Sequence, residues 1–318
     1  MKVKSSTIEN KYIKVKTLNV GATVFEIIYK PKKLNLILNL KTKNNYNKKN
    51  PYVGSICGRY ANRISNARFI IKNKIYKVSK NEKNNCLHGG KKGFNKKIWK
   101  IKSYSKKSIV YTILSKNLDQ GFPGNLNLSC KYSINNKTIS IYYNFYSDKL
   151  THVNITNHCY WNLNKNKKKN IYNHNLKIFS DYFLPVNKLN IPTGKKKNVN
   201  NTYYNFKNLS NIGKKLLLKK NGYDINYIVN KRKDNLTAIL SNKNSGISLN
   251  FYSNQPGLQL YTGQKLKFKN FLFPFQGLCL ENQHFPNSPN EKKFPSTLIL
   301  PYKKYKYFTK IRLKDLNL

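Results

Sequence analysis

Side chains that can transfer a proton near neutral pH are scarce in this sequence, and the notable ones lie among other scarce residue types. The chain has five histidines and eleven Asp and Glu residues among 318. His88 is followed by two glycines, and His158 lies among asparagine, tyrosine and tryptophan residues. Because imidazole readily exchanges a proton between about pH 5 and 8, both histidines are candidate general acids or bases. The structural alternatives are a glycine turn at His88 and a hydrogen-bonded core histidine at His158.

Glu281 is a candidate base. It follows the apolar run Leu-Cys-Leu at 278–280, and the next acidic residue along the chain is Glu291. A carboxylate beside an apolar strand is partly desolvated, which raises its pKa towards the range in which it can act as a base. The alternative is a glutamate at a strand end that pairs with one of the many lysines.

Polar side chains that suit a hydroxyl-rich ligand lie in two further clusters. Asn62 and Arg63 are adjacent in residues 54–64 and offer several hydrogen-bond donors. Asp224 follows an Asn-Gly pair and is one of the scarce acids. Surface arginines beside a glycine turn, and an Asx turn at Asp224, are the structural alternatives. The aromatic pair at 160–161 could stack on a sugar ring.

The elements that must position these side chains are β-strands, because hydrophobic residues alternate with polar ones in several runs. Residues 34–40, 126–134, 139–145 and 305–311 follow a period of two. Asn135-Asn136 separates two of these runs, which predicts a β-hairpin with one buried face. No long amphipathic helix and no internal repeat is evident. We therefore predict an all-β fold, a large antiparallel β-sandwich, as one domain spanning residues 1–318.

The formal net charge of +50 favours an anionic partner if it is considered alone. However, only five of the 61 Lys and Arg residues are arginine, and Asn, Ile, Tyr and Phe are also abundant. Those abundant types, like Lys, have A/T-rich codons, so drift in an A/T-rich genome explains the composition. We therefore expect a solvated lysine surface, with exposed loops at 165–169 and 195–197, and no specific nucleic-acid partner.

The cysteines and the N-terminal segment indicate a compartment. Five widely spaced cysteines without a C-x-x-C pair predict free thiols in a reducing environment, rather than a disulfide framework or a zinc site. The first twelve residues lack an apolar signal segment, and no stretch approaches the apolar length of a membrane span. We expect a cytoplasmic protein with no membrane partner.

Taken together, the clusters resemble the aldose 1-epimerase (galactose mutarotase) family over nearly the whole chain. The similarity implies the family's large β-sandwich, the galactose mutarotase-like supersandwich. Trp161, Asn282 and Asn287 depart from the residues usual in the family, which are Phe, Thr and Asp. The segments that carry the resemblance occur in the family's order: Gly-Arg-Tyr-Ala-Asn-Arg-Ile at 58–64, Leu-His-Gly-Gly at 87–90, Asn-His-Cys-Tyr-Trp-Asn-Leu at 157–163, Ile-Pro-Thr-Gly at 191–194, Gly-Tyr-Asp at 222–224, Pro-Gly-Leu-Gln-Leu-Tyr-Thr-Gly at 256–263 and Leu-Glu-Asn-Gln-His-Phe-Pro at 280–286.

The resemblance implies an isomerase that interconverts the α and β anomers of free hexoses such as glucose and galactose. It assigns Glu281 as the base on the anomeric hydroxyl and His158 as the acid to the ring oxygen, with His88 close by. It implies no metal and no cofactor, a small aldose as substrate, and a monomer or homodimer. The side chains that it assigns to the sugar hydroxyls are Asn62, Arg63, Tyr160, Asp224 and Gln259.

Three other functions are consistent with parts of the sequence. A sugar-binding or regulatory protein could keep the fold and lose catalysis, although a binder needs no acid–base pair. A nucleic-acid-binding protein would account for the charge, but its cations would have to cluster. A hexose-6-phosphate epimerase would use the positive field, but the sequence has no separate arginine cluster for a phosphate.

Overall fold

The computed structural model describes residues 3–48 and 50–316 of the chain. Its first strands are β1 (Ser5–Glu9), β2 (Ile13–Leu18), β3 (Thr23–Tyr29), β4 (Leu34–Asn35), β5 (Ile56–Cys57), β6 (Arg63–Ile64), β7 (Arg68–Ile71), β8 (Lys74–Lys77), β9 (Cys86–Leu87), β10 (Lys100–Ser105), β11 (Ser108–Ser115), β12 (Leu126–Asn135) and β13 (Thr138–Ser147). The remaining strands are β14 (Thr151–His152), β15 (Thr156–Asn157), β16 (Asn175–Ile178), β17 (Tyr182–Leu184), β18 (Lys197–Asn198), β19 (Ser210–Asn211), β20 (Asp224–Ile228), β21 (Leu236–Asn242), β22 (Ile247–Ser253), β23 (Gly257–Tyr261), β24 (Cys279–Gln283), β25 (Leu298–Ile299) and β26 (Tyr305–Asp315).

Three antiparallel sheets account for most of these strands. The largest has nine strands in the order β10-β11-β12-β13-β26-β22-β21-β16-β19. A five-stranded sheet has the order β18-β17-β20-β23-β24, and β1 to β4 form a four-stranded sheet. The remaining pairs are β5 with β15, β6 with β9, β7 with β8 and β14 with β25. The prediction of an all-β, antiparallel sandwich is confirmed.

The central hairpin of the large sheet is formed by β12 and β13. Side chains along both strands alternate between buried and exposed or half-buried, as the period of two predicted. Asn135 pairs with Thr138, so the two turn residues are Asn136 and Lys137, one position later than predicted. Asn136 adopts a left-handed conformation, with φ of 46°, which asparagine tolerates better than most residues do. The last predicted run is also confirmed, as β26 pairs with β13 and β22.

The run at residues 34–40 is not a regular strand, although its leucines are all buried. Only Leu34–Asn35 pairs as a strand, with β3. Ile37, which an alternating strand would expose, is fully buried and forms a bridge with Trp161. Asn35 and Asn39, on the same face as Ile37, remain half-buried, so the alternation of burial is broken only at Ile37. The prediction of a regular strand through residue 40 is wrong here.

The described part of the chain contains one α-helix, α1 (Ile212–Leu218), and short 3-10 helices at Lys30–Lys32, Lys43–Asn47, Ser65–Ala67, Phe94–Lys96, Asp119–Gly121, Lys243–Ser245 and Ser288–Asn290. The Asn211 side chain caps α1 by accepting a hydrogen bond from the Lys214 backbone N–H. None of the helices in this part of the chain is long and apolar enough to cross a membrane.

The five-stranded sheet has an apolar face and a polar face, because successive side chains of a strand point to opposite sides. Ile225, Tyr227, Leu258, Leu260 and Leu280 belong to the main hydrophobic core. Each large apolar side chain that is fully buried contributes roughly 1.5–3 kcal/mol. The core face therefore fixes the sheet, and the polar residues between these positions are held on its other face.

Two expectations about the surface and the thiols have different outcomes. Residues 195–197 are exposed, as are most of residues 165–169, but Lys167 is half-buried. Its Nζ donates to the carbonyls of Asn162 and Asn164, at 2.6 and 2.5 Å, and burial lowers its pKa to about 7. Lys167 therefore closes its own loop by bonding to the carbonyls at the start of that loop. All five cysteines are free and buried, which confirms the prediction of free thiols.

Candidate active site

The polar face of the five-stranded sheet supplies one half of the candidate active site. Gln259 on β23 lies directly opposite Glu281 on β24, and Asp224 on β20 lies opposite Tyr261. The Gln259 side chain donates from Nε2 to Asp224 Oδ1 at 2.6 Å. Glu281 lies within the strand and is only 2% exposed. No described lysine pairs with it, so the surface alternative for Glu281 is wrong.

His158 approaches this face from the pair formed by β5 and β15. Its backbone N–H donates to the Ser55 carbonyl at 2.9 Å. Thr156 on β15 donates its hydroxyl to the Asn282 carbonyl at 3.1 Å, which links this pair to β24. As a result, His158 Nε2 lies 3.8 Å from Glu281 Oε1, with the imidazole 4% exposed.

His88 reaches the same place from the end of β9. The backbone N–H of Asn62 donates to His88 Nδ1 at 3.2 Å, so the proton of the neutral imidazole is carried by Nε2. Gly89, with φ of +85°, makes this approach possible because a Cβ there would lie 2.0 Å from the Gly58 carbonyl oxygen. His88 is buried rather than exposed, and its ring centroid lies 5.3 Å from that of His158.

Burial controls the protonation of all three groups. Burial, together with the charge of Asp224, raises the pKa of Glu281 well above its usual value, and Arg63 offsets this only in part. Burial lowers the pKa of His158 to about 4. For His88, burial and the charges of His158 and Arg63 hold the pKa well below its usual range. The site therefore combines a carboxyl that is easily protonated with an imidazolium that readily gives up its proton.

The same three side chains have a composition that can bind a metal ion. One potential ligand atom of each of His88, His158 and Glu281 lies within 4.8 Å of the others, and two histidines with one glutamate form some zinc sites. A ligating imidazole needs a free ring lone pair. In His88, Nδ1 already accepts a hydrogen bond and Nε2 carries the proton. The arrangement therefore favours proton transfer over metal binding.

Arg63 has a partner that the sequence analysis did not identify. Its Nε and Nη2 donate to the two carboxylate oxygens of Glu82, at 2.7 and 2.8 Å, while Nη1 lies 3.6 Å from Asp224 Oδ2. Burial would lower the pKa of Arg63, but the hydrogen bonds and charges of Glu82 and Asp224 outweigh it and raise the pKa. Glu82 therefore holds the guanidinium while its third nitrogen lies beside Asp224.

Comparison with known proteins identifies the family of this chain. A sequence model of the aldose 1-epimerase family matches residues 4–312. Galactose mutarotase of Sus scrofa is 32% identical over 96% of this chain and 93% of its own, and aldose 1-epimerase of Haemophilus influenzae is 34% identical over 79% and 76%. The chain belongs to the aldose 1-epimerase family.

Among solved structures, galactose 1-epimerase from Lactobacillus acidophilus has a TM-score of 0.87 and 26% identity, covering 100% of both chains. An aldose epimerase homologue from C. elegans shares the fold, with a TM-score of 0.94, 24% identity and coverage of 99% and 100%.

Family membership identifies the protein as an isomerase, and the structure shows which aromatic residues surround its candidate site. The Tyr160 ring packs 5.0 Å from His158, and its hydroxyl donates to the Pro51 carbonyl at 3.1 Å. Trp161 packs against Phe251 in the main core, so it cannot stack on a ligand in this site. Tyr52 instead lies against both histidines, with centroid distances of 4.5 Å to His88 and 5.7 Å to His158. In the sequence, the only indication that Tyr52 belongs to the site is its position just before the glycine-containing cluster at 54–64.

Arg59 belongs to the family's Gly-Arg-Tyr-Ala-Asn-Arg-Ile segment but lies outside the site. Its guanidinium is 2% exposed and donates to the carbonyls of Ser115, Lys116, Pro123 and Gly124, as well as to the Ser115 hydroxyl. Arg59 therefore satisfies backbone carbonyls at the end of β11 and in the connection that leads to β12.

We expect Arg59→Met to destabilise this isomerase. Each buried carbonyl left without a partner costs about 1–3 kcal/mol, so the melting temperature and the free energy of unfolding should fall clearly. Thermal and denaturant unfolding measure the effect, with the exposed Arg68→Met as the matched control. An Arg59→Met protein as stable as the control would contradict the structural role.

Proposed function

We propose that the protein interconverts the α and β anomers of free hexoses by general acid–base ring opening. The observation that supports this most directly is the buried pair in which His158 Nε2 lies 3.8 Å from Glu281 Oε1. Anomer exchange requires one proton to leave the anomeric hydroxyl and one to reach the ring oxygen, two atoms bonded to the same carbon. A base and an acid a few ångströms apart match that requirement.

In the proposed reaction, Glu281 accepts the proton of the anomeric hydroxyl while His158 donates its Nε2 proton to the ring oxygen. The bond between the anomeric carbon and the ring oxygen breaks, and an open-chain aldehyde forms. Rotation about the adjacent carbon–carbon bond presents the other face of the aldehyde. The two proton transfers then run in reverse, so Glu281 and His158 return to their original states and no other reactant is consumed.

The proton count of the pair supports these assignments. A protonated Glu281 beside a neutral His158 contains the same number of protons as an ionised Glu281 beside an imidazolium. The raised pKa of Glu281 and the lowered pKa of His158 favour the first form in the empty site. Polar groups of a bound sugar would favour the second, because charged groups are better solvated by them. The same proton can therefore lie on Glu281 in the empty site and on His158 when the sugar is bound.

The surrounding groups suit a sugar ring. His88, with its proton on Nε2, is a neutral donor that would share the contact with the ring oxygen or the anomeric hydroxyl. Asp224 accepts and Arg63 Nη1 donates within 3.6 Å of each other, a combination that suits neighbouring hydroxyls. Gln259 Oε1 is buried and has no hydrogen-bond partner among the described residues, so it can accept from a ligand hydroxyl. Asn62 and Tyr160, which the resemblance also assigns to the sugar, adjoin the two histidines: the Asn62 backbone N–H donates to His88, and the Tyr160 ring packs against His158.

The test of the function is polarimetry on freshly dissolved α-D-glucose and α-D-galactose. The protein should accelerate the change in optical rotation towards the same equilibrium value that the uncatalysed reaction reaches. A protein that binds the sugars but leaves the rate unchanged would identify a binding protein on this fold. The hexose with the higher kcat/KM would be the preferred substrate.

One observation favours a second candidate, a phosphorylated aldose. A groove of about 540 Å³ opens beside Asp224, and Lys219, Lys220 and Lys265 are among its lining residues. Lysines can bind a phosphate as point charges. Comparing kcat/KM for glucose and glucose 6-phosphate decides between the candidates, with a Lys219→Glu, Lys220→Glu double variant as the second arm. For a free hexose, the double variant should leave the glucose value unchanged, and the phosphate should give no advantage.

We expect Arg63→Ala to raise KM more than it lowers kcat, because its role is to hold hydroxyls and not to transfer a proton. Hydrogen bonds to charged groups are worth about 1.5–3 kcal/mol, which corresponds to a KM increase of roughly tenfold to a hundredfold. Glu82→Gln should shift KM in the same direction by less, since it loosens the guanidinium without removing it. A fall in kcat with unchanged KM in either variant would contradict a positional role.

A further inference from the structure

The candidate acid has a partner on its other ring nitrogen. The Cys279 sulfur lies 3.4 Å from His158 Nδ1, a hydrogen-bond distance for sulfur. Cys279 and Glu281 are two residues apart on β24, so their side chains point to the same face of the sheet. One strand therefore supplies both the group beside Nε2 and the group beside Nδ1, and Cys279 is completely buried.

The other groups around His158 do not contact its Nδ1 nitrogen. Glu281 lies on the Nε2 side. The rings of Tyr52, His88, Tyr160 and Tyr261 pack around the imidazole with centroid distances between 5.0 and 6.5 Å. Among the described residues, neither a carboxylate nor a lysine forms an ion pair or hydrogen bond with Nδ1. The side chain that contacts Nδ1 is therefore that of Cys279, and a hydrogen bond to the backbone of His158 itself raises the pKa of the imidazole only in part against burial.

We propose that Cys279 is a positioning residue for His158, whose thiol holds Nδ1 as a neutral partner in each protonation state that the acid passes through. This inference rests on the proposed anomer exchange. When Nδ1 carries a hydrogen, as in the imidazolium, it donates to the sulfur lone pair. After His158 has given up its Nε2 proton, Nδ1 keeps its hydrogen, so the same contact to the sulfur persists in the neutral imidazole. A thiol sulfur can act as this acceptor without carrying a charge, although it is a weak one.

A neutral partner also suits an acid that must release its proton. A carboxylate at this position would stabilise the imidazolium and raise the pKa of His158, which would weaken the acid. Burial raises the pKa of the Cys279 thiol well above its usual value, so the group stays uncharged. The thiol therefore holds the ring while leaving the imidazolium acidic.

The test compares Cys279→Ala, Cys279→Ser and Cys279→Asp with the wild type, and uses Cys130→Ala as the matched control for loss of a buried thiol. Loss of one hydrogen bond should lower kcat by about threefold to tenfold in Cys279→Ala and leave KM nearly unchanged. Cys279→Ser, which restores a donor and acceptor, should recover most of kcat. Cys279→Asp should shift the His158 titration to higher pH, because a carboxylate beside Nδ1 stabilises the imidazolium. Cys130→Ala should retain the wild-type kcat.

A spectroscopic readout keeps this test separate from the proposed function. The ¹⁵N shifts of His158 in the unliganded protein report which ring nitrogen carries the proton, whether or not the protein catalyses mutarotation. We expect the Nδ1 signal to change in Cys279→Ala and to be largely restored in Cys279→Ser. Unchanged His158 shifts together with an unchanged kcat in Cys279→Ala would overturn the inference, whereas a wild type without mutarotase activity would overturn only the proposed function.

Discussion

Glu281→Gln should reduce the rate of mutarotation by at least about a hundredfold while sugar binding persists. The substitution keeps the size of the side chain and most of its hydrogen-bonding capacity, but an amide cannot accept the proton of the anomeric hydroxyl. General acid–base groups contribute roughly 10²–10⁴-fold each, which sets the expected loss. Polarimetry gives kcat and KM, and calorimetric titration with the hexose gives the affinity.

The matched control for this substitution is Glu291→Gln, the next acidic residue along the chain. Glu291 accepts a hydrogen bond from the Lys293 backbone and follows the 3-10 helix at Ser288–Asn290, outside the site. It should retain the wild-type rate. If Glu281→Gln turned over every aldose tested as fast as this control, Glu281 would not be the base. The buried pair of His158 and Glu281 would then no longer support the proposed function.

The parts of the fold that could be predicted from the sequence are those in which neighbouring segments pair. The hairpin of β12 and β13 is such a case, since an uninterrupted alternation continues on both sides of a short polar turn. The segment at 34–40 has the same alternation but pairs through Ile37 with Trp161, a residue from a distant part of the chain. Alternation shows which residues avoid water on one face, and it does not show when a second layer covers the other face.

In the candidate site, too, the sequence predicts features that depend on residue type and misses contacts between distant segments. Scarcity of residue type identified His88, His158, Glu281 and Asp224, because little else in an Asn- and Lys-rich chain can transfer a proton or accept two hydroxyls. The same argument would have singled out Glu82 as a candidate, although not its pairing with Arg63. The contact between Cys279 and His158 joins residues 121 positions apart and leaves no local pattern, since a cysteine in an apolar strand is also an ordinary core residue.

His158→Asn should also lower kcat by at least about a hundredfold, because an amide cannot deliver a proton to the ring oxygen as an imidazolium does. The matched control is His152→Asn. His152 is also buried, its Nδ1 lies 2.9 Å from the Thr297 hydroxyl, and burial lowers its pKa to about 4. Both substitutions remove a buried imidazole, but only one should remove catalysis. Equal losses in the two variants would assign the effect to stability, which thermal unfolding would show directly.

At high pH, kcat/KM should fall with increasing pH in the wild type and rise with increasing pH in His158→Asn. In the wild type the active pair holds one proton. Activity should fall below about pH 4, where His158 takes up a second proton and blocks the base, and again above the raised pKa of Glu281, where the pair loses its last proton. Without His158, only ionised Glu281 is active. The residual rate should therefore rise with pH through the range in which the wild-type rate falls. Stopped-flow polarimetry across pH, corrected for the buffer reaction, measures both profiles, and parallel profiles would exclude a proton shared between Glu281 and His158.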